Sequence, residues 1–575
     1  MNSEIKRRNL LPCIASVGVA AALIASSDEA SSQSRSADRG VGSFNSRGGD
    51  WVSVKEYGAV GDGVTDDSAA LYNATASGKP VYFPAGTYVL NNATILSPST
   101  GQKFFGIPGK SIIKKSTLTN GGAILQHLHP TFDIVDVTDV TIDGLTLSLN
   151  ILTLGATEFG FMLRATALGN TNRIRIQNCN FINCNNYIER YVYNVFIDRN
   201  IFLGNSVAEG GVNTGGQYGV NVDGICQYIF ITNNYFSLCV SEAIDINWDT
   251  RNVVIANNIF DDCCITAGNE VVDIGGGTSS FCKNITVTGN VFNNVNFPAN
   301  GVNVKLTSSD VSITGNTFIC TASTTAGDKG VITNSNVSNV VIADNTFRGY
   351  TYGVYSTANI STNVNLSITG NTILDCGTTG VFCVNASSKT LISNNMIYTT
   401  IATTPTNGID LSSLTDFLVC GNYINGFLSF GIAVAASCSE GVISDNLMAS
   451  CSTGIRVLGP RIKICDNIAR NCKIIGMQFQ GTHLTINDNQ AYNNSQVTPD
   501  QYGFSFAAGC DYAVITGNKS YDTQGGSATQ NGFTFGASDR VIFNNNIAYP
   551  VKTTALNGNG TLTNSLVGTA GNIIA

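Results

Sequence analysis

Four stretches in the first half of the chain place carboxylate and amide side chains at one recurring position. Gly219-Val-Asn221-Val-Asp223, Ala243-Ile-Asp245-Ile-Asn247, Val271-Val-Asp273-Ile-Gly275 and Gly301-Val-Asn303-Val-Lys305 share one phrase: a residue that is often Gly, an apolar residue, any residue, an apolar residue. In an extended strand the third and fifth positions project to the same face. Stacking the phrases in parallel gives two outward columns, Asn221, Asp245, Asp273, Asn303 and Asp223, Asn247, Gly275, Lys305, with Glu189 one coil above Asp223. Successive positions on a face lie about 6.6 Å apart along a strand and about 4.8 Å apart between strands, so these groups fall in one patch. Like charges at that spacing raise each other's pKa, which lets one carboxyl serve as acid while another serves as base near neutral pH. The chemistry expected is proton transfer by Asp245 and Asp273, with Asp223 or Glu189 assisting and Lys305 as an alternative base. Asn221, Asn247, Trp248, Asp249, Arg251 and Asn303 are the expected substrate contacts; Trp248 is one of only two tryptophans. Tyr187, Tyr191 and Tyr193 lie near the same coils, where edge packing explains them as well as ring stacking. Later coils fill the column blandly, with Ala433, Ser505 and Thr534.

A second phrase explains how such columns arise. From residue 170 onward the pattern apolar, any, apolar, two polar, Asn, any, apolar recurs, as in Ile229-Phe-Ile-Thr-Asn-Asn234-Tyr-Phe236 and Val253-Val-Ile-Ala-Asn-Asn258-Ile-Phe260. The aligned Asn stands at 200, 234, 258, 290, 316, 345, 371, 395, 422, 446, 467, 489, 518 and 546. Such a period, built from short alternating segments, specifies a solenoid of β coils. The fold expected is all-β: a single-stranded right-handed parallel β-helix with an N-terminal cap containing a short α-helix. A stacked Asn column can hydrogen-bond along its own ladder, and Asn tolerates left-handed backbone, so these residues are structural.

Composition agrees. Charged residues make up 12% of the chain, about half the usual share, and the net charge of −8 without a basic stripe excludes a nucleic-acid-binding surface. Lys6, Arg7 and Arg8 before the apolar run from Leu10 read as a signal peptide over 1–27, with twin-arginine character, so export to the periplasm or medium is expected. The run is too short to span a bilayer, and no membrane span is expected after its removal. Residues 28–50 read as a linker, 51–100 as the cap, 101–550 as the β-helix and 551–575 as a tail. Seventeen Cys invite a disulfide reading. Cys184, Cys239, Cys263, Cys376, Cys451 and Cys472 instead keep the coil register, five residues after the ladder position, where buried free thiols are expected. No metal site is expected, because only three His exist and they do not cluster.

The segment Val54-Lys-Glu-Tyr-Gly-Ala-Val-Gly-Asp-Gly-Val-Thr-Asp-Asp67-Ser-Ala-Ala-Leu, followed by Gly78-Lys-Pro-Val-Tyr-Phe-Pro-Ala-Gly-Thr-Tyr88, closely resembles the start of pectate-lyase-superfamily β-helices. That group includes polygalacturonase-like hydrolases, lyases, uronate epimerases and phage tailspikes. The resemblance covers about forty residues, and beyond it only the coil repeat is shared. It implies that this segment caps the tube, with Asp62, Asp66 and Asp67 as turn and helix-cap residues, and that the partner is a polysaccharide. It does not transfer a catalytic set. The polygalacturonase motifs Asn-Thr-Asp, Asp-Asp and His-Gly are missing from their places, although Arg461-Ile-Lys463 occurs, and the Asp-Pro-His-Glu motif of mannuronan epimerases is absent.

Three functions follow. A secreted glycoside hydrolase would use Asp245 and Asp273 with no cofactor; the diagonal pair Asp223 and Asp245, about 8 Å apart, and the habit of the resembling hydrolases point to inversion. A polysaccharide lyase would use Lys305 or Arg251 as base, with Ca²⁺ on the carboxylates. A non-catalytic glycan-binding surface protein needs only the groove. A phage tailspike is disfavoured by the export signal and by the short segment after residue 550. Sugar, linkage and oligomeric state are not encoded in any motif.

Overall fold

The computed structural model describes residues 50–549, apart from internal segments of which the longest are 116–128, 150–157, 205–218 and 524–529, and the backbone of short strands between 556 and 574. The expected signal peptide and linker lie outside the described residues.

The chain winds as a right-handed parallel β-solenoid of about 15 turns with one α-helix. Each coil supplies a strand to each of three parallel sheets. In one coil the order is Gln227–Thr232 in sheet A, Tyr235–Ser237 in sheet B and Ile244–Ile246 in sheet C. Every strand pairs with its counterpart in the coils before and after, so one residue type repeated at one position becomes a column. β-Branched residues suit such pleated, inward-facing positions. Ile231, Ile255, Val287, Ile313 and Ile342 line the interior from sheet A, and Val222, Ile246, Ile274 and Val304 from sheet C. Sheet B contributes a ring stack of Phe181, Phe202, Phe236, Phe260, Phe292, Phe318 and Phe347, with centroids 4.4–5.1 Å apart. The rings explain the glycines that open the sheet C phrase. A β-carbon at Gly301 would lie 2.7 Å from the Phe318 ring.

The fourteen expected asparagines stack between sheets A and B. Asn316 is representative: its carbonyl oxygen accepts from the backbone N–H of Asn290 at 2.9 Å and from Asn290 Nδ2 at 3.0 Å. Its own Nδ2 donates back to Val287 O and on to Asn345 Oδ1. The turn is satisfied by side chains where the backbone leaves one sheet for the next. One detail differs from expectation. The left-handed residue is the one before each ladder Asn, such as Asn233 at φ 57° and Asn257 at φ 56°, because the ladder side chain must point inward from an extended backbone.

The cap forms as the resemblance implies. Asp67 accepts backbone N–H bonds from Val60, Gly61 and Val89, and Asp66 accepts from Ser68 at the start of the Ser68–Ala76 helix. Asp62 is held down to about 2 by the N–H groups of Thr65 and Val64. All three are structural acceptors. Among the described residues no helix is long and apolar enough to cross a membrane.

All sixteen described cysteines are free, and all but Cys420 are buried. Burial pushes thiols such as Cys179 and Cys376 up to about 12, so they behave as small apolar residues that resist ionisation. Thiol titration of denatured, unreduced protein should therefore find nearly every cysteine reactive. A count of only a few would overturn this feature of the fold.

Candidate functional site

The two columns form on sheet C in the register read from sequence. Tyr187 pairs with Asn221, Asn221 with Asp245, Asp245 with Asp273 and Asp273 with Asn303. Alongside, Glu189 pairs with Asp223 and Gly275 with Lys305. The first column is not a solvated surface. Asn221, Asp245, Asp273 and Asn303 are only 3–7% exposed, although their neighbours Val222, Ile246, Ile274 and Val304 fill the interior on the other side of the sheet.

Burial without full pairing is the main property of the site. Asn221 Nδ2 donates to Asp245 Oδ2 at 2.9 Å, and Lys305 Nζ meets Asp273 Oδ2 at 2.5 Å. The remaining oxygens, Asn221 Oδ1, Asp245 Oδ1 and Asp273 Oδ1, are buried with no hydrogen-bond partner among the described residues. Leaving a buried acceptor unpaired costs about 1–3 kcal/mol, so three in one column single this stretch of sheet C out as the candidate site. Asp245 is held well above the usual carboxylate range, first by burial and then by the charges of Asp273 and Glu242. Asp273 is also raised by burial, but Lys305 opposes the rise. For Lys305 burial opposes the charge, yet Asp273, Glu270 and Asp245 outweigh it and hold the ammonium protonated.

Lys305 reaches Asp273 because position 275 is glycine. A β-carbon there would lie 2.6 Å from Lys305 Cγ and 2.7 Å from Cε, so the lysine stem lies across a gap that any side chain would fill.

Two carboxylates escape the sequence reading. Glu242 and Glu270 stand one residue before the start of the aligned phrase, on the same face in adjacent coils, and Glu270 pairs with Asn300. A signal for them exists: extending the alignment by one position gives Glu242, Glu270, Asn300 and Lys329. Burial, with Asp273 adding to it, pushes Glu270 up to about 7. The folded protein thus holds this proton more tightly than the unfolded chain, whose carboxyl titrates near 4.5. Stability should fall as pH rises from about 4.5 to about 7, and Glu270→Gln should flatten that slope. Melting temperatures across this range that run parallel in both proteins would contradict it.

Other expected contacts separate from the cluster. Asp249, at φ 60°, accepts the N–H of Phe281 at 2.7 Å, and so acts as a turn residue. Arg251 begins a strand of sheet A between Gln227 and Lys283, around the corner from the carboxylates. Tyr193 also belongs to sheet A, against Tyr228, while Tyr187 caps the Asp column and meets Phe159 edge-on. Asn247 is half-buried beside Asp245, and Trp248 is 51% exposed at the adjoining turn. Asn303 accepts from Asn334. Glu189 is paired with Arg190 at 3.4 Å. The donor set does not suit Ca²⁺, which needs six to eight oxygens: Asp273 is taken by Lys305, and among the described residues no group of three acidic, His or Cys ligands is assembled.

Comparison with known proteins agrees with this architecture. Residues 51–269 match the family described as rhamnogalacturonase A/epimerase, pectate lyase-like, and residues 358–520 match the right-handed β-helix region. Among curated proteins the chain is similar to the pre-neck appendage protein of Bacillus phage B103, at 24% identity over 42% of this chain and 29% of that one. It is also similar to the plasmin and fibronectin-binding protein A of Streptococcus pneumoniae (strain ATCC BAA-255 / R6), at 28% identity over 36% of each. The chain spans about a third of the length of these relatives. Among solved structures, bacteriophage phi29 gene product 12 aligns at TM-score 0.43 and 14% identity over 89% of this chain and 73% of that one. The exopolygalacturonase of Thermotoga maritima aligns at TM-score 0.34 and 12% identity over 72% and 88%.

Proposed function

Starting from a right-handed β-helix whose first coils are pectate-lyase-like, we propose that the protein cleaves glycosidic bonds in a polysaccharide by acid–base hydrolysis at the Asp245–Asp273 column. The observation that carries this reading is the in-register stack of two buried carboxyls in unlike electrostatic settings. Asp245, beside other carboxylates, keeps its proton and acts as the acid. Asp273, ion-paired with Lys305, is the one that supplies a carboxylate. Environments that push a pair of pKa values apart assign the acid and base roles. A direct stack, about 4.8 Å between backbones, suits a retaining mechanism, whereas inversion would move the work to the diagonal pair Asp223 and Asp245.

Elimination with Lys305 as base fits less well, because a lysine held protonated chiefly by the Asp273 carboxylate is a poor proton acceptor. Arg251 is remote from them. Export to the periplasm or medium belongs to the proposal and rests on the leader at 1–27. A binding-only role is the second reading, favoured by the low exposure of both Asp side chains and by the adhesive name of the streptococcal relative.

Lys305→Ala separates the reactions. In the hydrolase it should raise KM and shift the acid limb of the rate profile to higher pH, while turnover persists. Complete loss of turnover, with unsaturated product made only by the wild type, would identify a lyase instead.

A further inference from the structure

The outward face of sheet A differs from the other two faces of the tube. One outward column runs in register from Phe230 to Val442, and its neighbour from Thr232 to Ser444, nine coils in each. Every position in this stretch holds Val, Leu, Phe, Ala, Ser, Thr or Cys, and none holds a charge or an amide. The boundaries are sharp. Arg175 and Asp198 stand in the same columns before the stretch, and Lys463 stands after it. Over the same coils sheet B carries Asp261 and Arg348 outward, and sheet C carries the carboxylate cluster.

The charges of sheet A are displaced to its margins. Asp310, Lys389, Asp416 and Glu440 occupy left-handed positions where its strands begin, and Asp344 and Asp445 occupy those where they end. An uncharged centre inside a polar rim is the layout of a protein interface. The centre is exposed in a single chain, with Val341 at 39% and Leu418 at 37%. Its hydroxyls need little from water: Thr314 Oγ1 donates to Thr288 Oγ1 at 3.3 Å, one coil away. Drying this face therefore costs less than drying one of unpaired polar groups.

Size and periodicity identify the occupant. Nine coils span about 38 Å, and the strands are about 17 Å wide from rim to rim. That is about 650 Å² on one molecule and about 1,300 Å² for a pair, within the roughly 1,200–2,000 Å² of a stable interface. A partner recognised by charge finds none here. A second copy does match, because its sheet A has the same spacing of about 4.8 Å per coil. The ridges of one face can then meet the grooves of the other at every coil, in a stack about 10 Å thick. We propose that the outward face of sheet A between Phe230 and Ser444 pairs with the same face of a second copy, giving a two-fold dimer. A patch that meets itself closes after two copies. The carboxylate cluster lies on sheet C, so pairing leaves it uncovered, and the proposal does not depend on what the cluster does.

Sedimentation velocity of the full wild-type chain at micromolar concentration should give the mass of two chains. Val341→Arg and Leu418→Arg place a charge in the contact at positions already exposed to water, so both variants should keep the wild-type melting temperature of the monomer fold. Each should raise the Kd of the dimer at least about 100-fold, as expected for burying an unpaired charge. Met396→Arg alters an apolar residue of sheet B that is 46% exposed, and should leave the dimer intact. Cys420 gives a second readout, because it lies in the face and is the one described cysteine that is not buried. Maleimide labelling of the native protein, mapped to Cys420 by mass spectrometry, should be slow in the wild type and faster in Val341→Arg. A wild-type mass other than that of two chains overturns the proposal. So does a dimer that survives both sheet A variants, or one that Met396→Arg breaks instead.

Discussion

Asp245→Asn and Asp273→Asn are each expected to lower glycan cleavage by about 10²- to 10⁴-fold, the usual contribution of a general acid or base. Each change preserves volume and removes a proton-transfer group. The variants should differ in stability. Asp245→Asn keeps an acceptor for Asn221 Nδ2 and replaces a carboxyl that already holds its proton, so its melting temperature should hold. Asp273→Asn leaves the half-buried ammonium of Lys305 without its partner, and breaking such a pair destabilises by up to about 3–5 kcal/mol when fully buried. Discounting for the exposure of Lys305, a smaller but clear drop is expected. Initial rates and thermal melts of the two variants check both halves. Wild-type rates in both would remove the site.

Asn316→Ala should destabilise the middle of the tube by about 3–5 kcal/mol without touching any carboxylate. The reason is a count of groups. The substitution removes the acceptor of the Asn290 N–H and of Asn290 Nδ2, and the donor that reaches Val287 O and Asn345 Oδ1. At about 1–3 kcal/mol for each buried group left unsatisfied, the orphaned Asn290 N–H, the lost bond to Val287 O and the one remaining bond of Asn290 Nδ2, to Ile255 O, together account for the estimate. Denaturant unfolding should show the loss, with hydrogen exchange fastest in the coils flanking residue 316. Because coils contact only their neighbours, distant coils should stay protected. An unchanged midpoint would mean that the ladder does not carry the turn.

Much of this is legible in the sequence because a β-helix writes its contacts as a period. Asn258, Asn316 and Asn371 fall at one position of a repeated phrase, and parallel stacking turns that position into a bonded column. Asp245 over Asp273 follows by the same logic, since alternation and register are both set by the apolar residues on either side. What escapes depends on three dimensions. The low exposure of the Asp column comes from packing around it, which no alternation pattern encodes. Asp249 and Arg251 follow Trp248 in sequence, but a turn with positive φ at Trp248 and Asp249 carries the chain off sheet C before Arg251 enters sheet A. Glu242 and Glu270 fall outside the phrase because it is anchored on the residue that follows them.

The most direct test of a cleaving site on the early coils is to incubate the wild-type protein with a panel of neutral and acidic polysaccharides while following reducing ends and the ultraviolet absorbance of unsaturated uronate. Hydrolysis at the Asp245–Asp273 column predicts new reducing ends without unsaturated product on at least one substrate. Reducing ends accompanied by unsaturation would contradict it in favour of elimination, and retained binding with neither signal would contradict cleavage altogether.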